Sequence, residues 1–482
     1  MTGSNALYSS VLPALDEQER LDLDDPFIGL LGQKTGRDEL WLGRAVPRYT
    51  SYPPATAFQE GVSVEAYRKA LAGLSPEEPV SLYLHVPFCQ ALCLYCGCNT
   101  CATQRYDRVT YYLGFVLREL ENVGRLSERS RRVGRIHMGG GSPNILSEKD
   151  FGLLFGELIR RYDLSTCQEI AVELDPRLVT KAQAKVLSLF GVSRVSLGVQ
   201  DFDPAVQEII GRKQPFEQVR AVCETLREGG IGQISFDLMY GLPLQSPASM
   251  ALAAEEAASL RPDRISLFSY AHVPQAKKHQ KALEKYILPG PYACLAMESA
   301  ARKVLCDAGY VEIGMDHFAL PADSLAVAAR EGRLHRNFQG YTDDHARSLI
   351  GIGASSIGRL PEAYYQNVRD AQAYEEAIRK DGLAVTRGVA IRSEDKLRAE
   401  VIETLMCTMA VNLEELCHKH HYALSTFSEE LEALEPYERA GVVKRQGLTL
   451  RLSVPHRMAV RVIASLFDKT QRSVSAPVSR AV

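Results

Sequence analysis

Five cysteines fall within thirteen residues in CQALCLYCGCNTC, positions 89–101, of a 482-residue chain that holds 11 in all. Thiols at that density can pair as disulfides, bind zinc or carry an iron–sulfur cluster. Structural zinc sites join two short Cys or His pairs across a longer loop and close a tetrahedron. Here Cys89, Cys93 and Cys96 stand at x3 and x2 spacing, with Cys98 and Cys101 close behind. Three thiolates so spaced suit three corners of a cubane whose fourth iron stays open. Five cysteines could also close a four-thiolate site through Cys98 or Cys101, so zinc and a closed cluster remain alternatives on spacing alone.

The disulfide is the weakest of the three. The first residues, MTGSNALYSSVLPALDEQERLDLDD, lack the basic n-region and apolar run of a signal peptide, and no eighteen consecutive residues are apolar. A cytoplasmic location is therefore expected, where thiols stay reduced. The remaining cysteines (167, 223, 294, 306, 407 and 417) are scattered and read as small buried apolar residues. A net charge of -3 gives no global pull toward nucleic acid or an anionic membrane. Two locally basic stretches, RLSERSRRVGR (125–135) and QAKKHQKALEK (275–285), read as solvated helix surface; attraction of a polyanionic substrate is the minority reading.

The elements that must position the cysteines begin near residue 80. Short apolar or β-branched runs recur as VSLYLH (80–85), RIHM (135–138), EIAVEL (169–174), RVSLGV (194–199), QISFDLM (233–239) and RISLFSY (264–270). Stretches of helical period separate them, such as 147–162 and 180–191, the latter with Thr180 placed to cap and Gly191 to stop it. Strand–helix–strand repeats of this length predict a parallel sheet. Runs at 311–315 and 349–354 could extend it. The expected fold class is α/β, a partial parallel (β/α) barrel.

Each strand ends in chemically unusual residues. They are His85 and the cysteines, then Gly139 to Ser142, Glu173 and Asp175, Gln200 and Asp201, Asp237, and Tyr270 to His272. In a parallel barrel such ends converge on one face, where active sites are built. Before the barrel, residues 1–45 read as a tail or arm, and RAVPRYTSYPPATAF (44–58) as extended. The barrel is expected over 46–360, after which the strands stop. A mostly helical, winged-helix-like domain is expected over 361–470, with helices at 393–409, 427–441 and 453–467 and a hairpin at 442–453. It carries no basic recognition helix of a DNA reader. A disordered tail is expected over 471–482.

The triplet after a strand resembles the signature of radical S-adenosylmethionine (SAM) enzymes. The wider text, YLHVPFCQALCLYCGCNT (83–100), is similar to the oxygen-independent coproporphyrinogen III oxidase family. So are PRYTSYP (47–53), GGGSPN (139–144), ELDPR (173–177), SLGVQDF (196–202), DLMYGLP (237–243), SYAHVPQ (269–275), GYVEIGMDHFALP (309–321) and LHRNFQGYT (334–342). The resemblance runs from about residue 44 to about residue 468. Tyr95 stands where the family often has Phe, and Ser142 where it often has Thr; 341–351 and 406–413 follow the family less closely.

The resemblance implies that Cys89, Cys93 and Cys96 hold a [4Fe–4S] cluster whose open iron is chelated by SAM, with Cys98 and Cys101 outside the ligand set. It implies two SAM molecules, the first contacted by Tyr83, Gly140, Glu173 and Ile357. Tyr95, Gly141, Ser142, Gln200, Arg212, Asp237 and Ala271 would contact the second. Glycines let backbone donors approach a ligand, acids accept ribose hydroxyls, and an arginine pairs with a carboxylate. Arg48, Tyr49, Tyr52, Asp316 and His317 are the candidate substrate-facing residues. The implied reaction converts the ring A and B propionates of coproporphyrinogen III to vinyl groups, giving protoporphyrinogen IX. An electron donor such as a flavodoxin or ferredoxin system, and a monomeric enzyme, are implied with it. The rival readings are a haem-binding chaperone of the same superfamily and a haem-modifying radical SAM enzyme. Cys98 and the PRYTSYP segment speak for the oxidase.

Overall fold

The computed structural model describes residues 40–128 and 130–470; the expected tails fall almost wholly outside them. Six strands carry the site: β1 (Val80–Val86), β2 (Val133–Gly140), β3 (Glu169–Leu174), β4 (Arg194–Gln200), β5 (Gln233–Tyr240) and β6 (Arg264–Ser269). They lie side by side in chain order and pair in parallel throughout. Leu349–Ile352 adds a further parallel strand on the outer side of β1, with Leu349 opposite Ser81. Such strands are covered on both faces, which is why β1 is buried along nearly its whole length.

The crossover helices follow from local chemistry. The Ser147 hydroxyl accepts from Asp150 N at 3.2 Å and opens helix Glu148–Arg161; Thr180 does the same for Gln183 N at 3.0 Å. Helix Tyr106–Leu126 buries Val109, Leu113, Val116, Leu120 and Val123, a stripe at three- and four-residue spacing that faces the sheet. One buried apolar cluster runs from Trp41 through the barrel to Phe467, so arm, barrel and C-terminal region share a core.

Strands do not stop at residue 360. Ala363–Asn367 and Val385–Ala390 continue the same sheet as antiparallel neighbours beyond Ile357–Leu360, and the short strand Gln59–Glu60 closes that edge. AYYQN buries Tyr, Gln and Asn rather than an apolar run, and VTRGVA buries only Val385 and Gly388, so neither stands out as a strand in the sequence. At the opposite edge Val311–Ile313 is also antiparallel, reached through His317–Ala319. The two edges belong to different strands, so among the described residues the barrel stays open.

The helical region therefore starts at Ser393–Thr408. Leu413–His420, Ser428–Arg439 and Val460–Leu466 follow, around a small sheet ordered Ala410–Asn412, Thr449–Leu452, Val443–Gln446. This region grips the arm. Arg461 donates to the carbonyls of Val46 at 2.5 Å and Pro47 at 3.2 Å, and Tyr49 Oη donates to Asp468 Oδ2 at 3.0 Å.

Candidate active site

The ends of β1 to β6, the cysteine loop and the arm enclose one cavity of about 800 Å³. Its floor is a network of ion pairs. Arg194 bridges Glu169 at 2.9 Å and Asp323 at 3.1 Å, Arg264 meets Asp323 at 2.8 Å, and Arg135 meets Asp343 at 2.9 Å. Three arginines face three carboxylates there, with Asp344 accepting from the Ser81 hydroxyl beside them.

The cysteine loop sits at the mouth. Gly141 N donates to Val86 O at 2.8 Å and Ser142 N to Phe88 O at 2.9 Å, tying the glycine turn after β2 to the loop after β1. Cys89 Sγ lies 3.2 Å from Thr100 Oγ1 and 3.5 Å from Ser142 Oγ. Cys93 Sγ lies 3.5 Å from Arg212 Nη1 and 4.0 Å from Arg177 Nη2. Cys89, Cys93, Cys96 and Cys98 line the cavity; Cys101 does not, because it pairs in a short strand with Phe88–Cys89.

No three His, Cys, Asp or Glu side chains among the described residues converge as the ligands of a single ion would. A four-iron cubane holds its thiolates farther apart than one ion holds its ligands. Thiols spread around a loop and met by hydroxyl and guanidinium donors fit that wider group. Burial raises the Cys89 thiol, while hydrogen bonding from Cys98 and the nearby Lys277 and His279 hold Cys96 below the ordinary thiol range.

Beside the loop, the glycine turn is required by close approach of protein as much as by any ligand. A Cβ on Gly140, whose φ is +118°, would sit 2.7 Å from the His85 ring, and one on Gly141 2.5 Å from Phe88 O. Gly140 N donates to Glu173 Oε2 at 3.1 Å, and His137 Nε2 pairs with Glu173 Oε1 at 3.1 Å. Burial alone would raise the Glu173 carboxyl, but His137 and the Gly140 amide hold it below its usual range, so it stays an acceptor. Asp237 behaves oppositely. Burial and the neighbouring Glu173 charge push it up to about 7, so near neutrality it can donate as well as accept.

Arg212 donates to Gly198 O at 2.7 Å and lies 3.5 Å from Asp175 Oδ1, while Arg177 holds Oδ2 of the same carboxylate at 2.6 Å. Gln200 ends β4 in the left-handed region at φ 69°, turning its side chain out of the strand's alternation. Tyr95, Gly140, Gly141, Ser142 and Ala271 also line the cavity. Tyr83 and Ile357 do not. Tyr83 stacks on His137 at 5.8 Å and bonds His85 Nδ1 at 3.0 Å, while Ile357 packs with Phe58 and Tyr364.

Of the candidate substrate-facing residues, Arg48, Tyr49 and His317 reach this cavity and Asp316 an adjoining one. Tyr52 lines neither, because it is buried under the C-terminal region, where its oxygen accepts from Lys469 N at 3.3 Å. Tyr49 turns its hydroxyl away to Asp468.

Several site residues are not apparent in the sequence. His137 orders Glu173; strand alternation, which puts it on the inward face with Gly139, is the signal that could have found it. The basic stretch 275–285 is solvated surface only in part: Lys278, Lys281 and Lys285 are exposed, but three of its residues turn to the cysteine loop. Lys277 Nζ donates to Cys98 O at 2.6 Å, His279 Nε2 meets Cys96 O at 2.8 Å, and Gln280 Nε2 donates to Tyr95 O at 2.9 Å. These three residues clasp the cysteine loop from its solvent side.

The radical SAM superfamily model matches residues 83–257. Oxygen-independent coproporphyrinogen III oxidase of Bradyrhizobium diazoefficiens is 42% identical over 423 residues, 88% of this chain and 94% of that protein. The enzyme of that name from Escherichia coli is 37% identical over 424 residues, covering 88% and 92%. A solved structure of coproporphyrinogen III oxidase from Escherichia coli, described as a radical SAM enzyme, superposes with a TM-score of 0.83 at 36% identity over 88% of this chain and 97% of that one. At 42% identity over 88% of its length, and with the same fold as the solved oxidase, the chain belongs to the oxygen-independent coproporphyrinogen III oxidase family of radical SAM enzymes.

Proposed function

We propose that this chain decarboxylates the ring A and B propionates of coproporphyrinogen III to vinyl groups without oxygen, giving protoporphyrinogen IX in tetrapyrrole biosynthesis. The observation that carries the reading is the single cavity in which the cysteine loop faces the ordered acids of β3 and β5. Bound at the loop, a [4Fe–4S] cluster supplies the electron that splits SAM and so begins hydrogen removal from a propionate β-carbon.

The chain's own residues hold and orient. Cys89, Cys93 and Cys96 are the proposed cluster ligands, with Cys98 donating to Cys96 rather than ligating. Glu173, kept ionised by His137, accepts ribose hydroxyls, and Tyr83 acts through the His137 ring on which it stacks. Gln200 and Asp237 line the same cavity from β4 and β5, and Arg212 joins them from the segment that follows β4. Their distance along the sheet from β1 supports a second SAM beside the first. Arg212 would present its charge to an amino-acid carboxylate while anchored on Gly198 O. The arm from Val46 to Thr56, held by Arg461, covers the mouth and limits water. A flavodoxin or ferredoxin system is the proposed electron donor, with the enzyme acting as a monomer. No helix among the described residues is long and apolar enough to cross a membrane.

The test is anaerobic reconstitution, then incubation with coproporphyrinogen III, SAM and a reductant. Carbon dioxide and protoporphyrinogen IX are expected. Their absence, with tight haem binding instead, would assign the chain to the haem-chaperone class.

A further inference from the structure

The segment that clasps the cysteine loop has a second, outward side. Val273 still lines the main cavity, but no residue from Lys277 to Lys285 lines it or the smaller one beside it. Cys96 and Cys98 line the cavity, while their carbonyls are met from outside by His279 at 2.8 Å and Lys277 at 2.6 Å. The segment is therefore a wall one side chain thick, with the cysteine loop behind it and solvent in front.

Local structure sorts its side chains. Lys278–Leu283 is a 3-10 helix, in which residues three apart stand one above another. Gln280 and Leu283 make one such pair and are buried; Lys278 and Lys281 make another and are exposed. Lys285 follows, also exposed, with its Nζ 5.1 Å from the centre of the Tyr286 ring. None of these three lysines forms an ion pair among the described residues. Glu284, the single acid from 273 to 290, is engaged by His272 Nε2 at 3.2 Å. Other surface lysines meet acids, as Lys303 does Asp307 at 3.4 Å and Lys396 does Glu362 at 3.1 Å. Ile287, two residues past the last lysine, is 92% exposed, more than any other large apolar side chain among the described residues.

Unpaired lysines beside an apolar knob have the make-up of a docking surface for an acidic protein, since charge steers the encounter and a small apolar contact holds it. Carriers of electrons use small, transient interfaces of this kind. The position selects the partner's task. A cluster on the cysteine loop is reduced from outside the cavity, and electron transfer falls steeply with distance, so a donor must reach the outer side of that loop. We propose that Lys278, Lys281, Lys285 and Ile287 dock an acidic one-electron carrier protein, which delivers its electron across the Lys277–Cys98 and His279–Cys96 contacts. This rests on the cluster proposed above. In the transfer the carrier is oxidised by one electron and the cluster is reduced by one, with no bond broken. Coproporphyrinogen III is also polyanionic, but its place is the cavity, which these lysines do not line.

The probe is a reduced flavodoxin, an acidic FMN protein, mixed anaerobically with the reconstituted full chain. Lys278→Glu, Lys281→Glu and Lys285→Glu, combined in one variant, break no hydrogen bond or ion pair. This variant is expected to bind flavodoxin at least tenfold more weakly at low salt and to lose most of the salt dependence of binding. Flavodoxin should reduce its cluster, followed as loss of visible absorbance, at least tenfold more slowly. Dithionite should reduce it at a rate within about twofold of wild type, because a small reductant needs no docking. Ile287→Ser should weaken flavodoxin binding and leave its salt dependence unchanged. A wild type that does not bind flavodoxin, or a triple variant with unchanged affinity and reduction rate, overturns the docking surface. Reduction slowed equally with dithionite overturns it as damage to the cluster seat. A raised KM for coproporphyrinogen III under dithionite, with flavodoxin binding unchanged, assigns the lysines to the substrate instead. Lysine-dependent reduction by flavodoxin without any protoporphyrinogen IX sustains the docking surface and rejects the proposed reaction.

Discussion

The side-chain amide of Gln280 donates to the carbonyl of Tyr95 at 2.9 Å, joining residues 185 apart in the chain. The same amide reaches Ala271 O at 3.2 Å, and its oxygen accepts from Val273 N at 2.7 Å. One fully buried side chain thus satisfies three backbone groups and holds the cysteine loop against the end of β6. Gln280→Leu keeps the volume and strands those groups. The expected loss is about 2–4 kcal/mol, from several buried unsatisfied groups, read from the denaturant midpoint of the metal-free chain. A midpoint within experimental error of wild type would show that the clasp is not structural.

The glycine turn can be tested at Gly141, where the atom in the way is backbone. A Cβ there meets Phe88 O at 2.5 Å, so alanine must push the cysteine loop outward. Gly141→Ala is expected to take up less than half the wild-type iron and sulfide on reconstitution. Gly156, exposed in helix Glu148–Arg161 with nothing within 4 Å of its Cβ position, is the control. Gly156→Ala should gain about 0.5–1 kcal/mol from helix propensity and load normally.

The proposed unequal roles of the cysteines predict unequal losses. Cys93→Ala should fail to retain a cluster, losing the brown colour and acid-labile sulfide. Cys101→Ser, altered at a residue outside the cavity, should keep both. Full iron and sulfide in Cys93→Ala would reject this ligand set.

Asp316 gives a pH signature with a definite sign. Burial alone would raise its carboxyl, but His317, Arg336 and Arg48 hold it at about 2, against 3.8 for a free aspartate. Because the folded value is depressed, the stabilisation is fully present above pH 3.8 and is lost as pH falls toward 2. Asp316→Asn is expected to be about 2 kcal/mol less stable at pH 7, from a shift of that size. The gap should narrow between those pH values in parallel denaturant titrations. A gap that stays constant would place the loss in packing rather than charge.

The barrel was legible because its strands are covered on both faces. VSLYLH, EIAVEL and QISFDLM stand out as apolar runs wherever they occur, and their polar ends mark the open face. AYYQN and VTRGVA were not legible, since the first buries polar-tipped side chains and the second only Val385 and Gly388, which leaves no apolar run to read. The basic stretch at 275–285 was only partly legible as solvated surface. Charge density is a local property, but whether Lys277 and His279 face water or the carbonyls of Cys98 and Cys96 depends on which loop lies opposite.

By itself, then, the sequence determined the cluster loop, the glycine turn and the run of parallel strands, because spacing and periodicity act over a few residues. Only the tertiary structure decided which groups share a space. It put Tyr52 under the C-terminal helices, set His137 against Glu173, and gathered Arg48, Arg336 and Arg461 from three distant segments around one carboxylate. Electrostatic balance is summed over whatever surrounds a cavity, and no window along the chain contains those neighbours together.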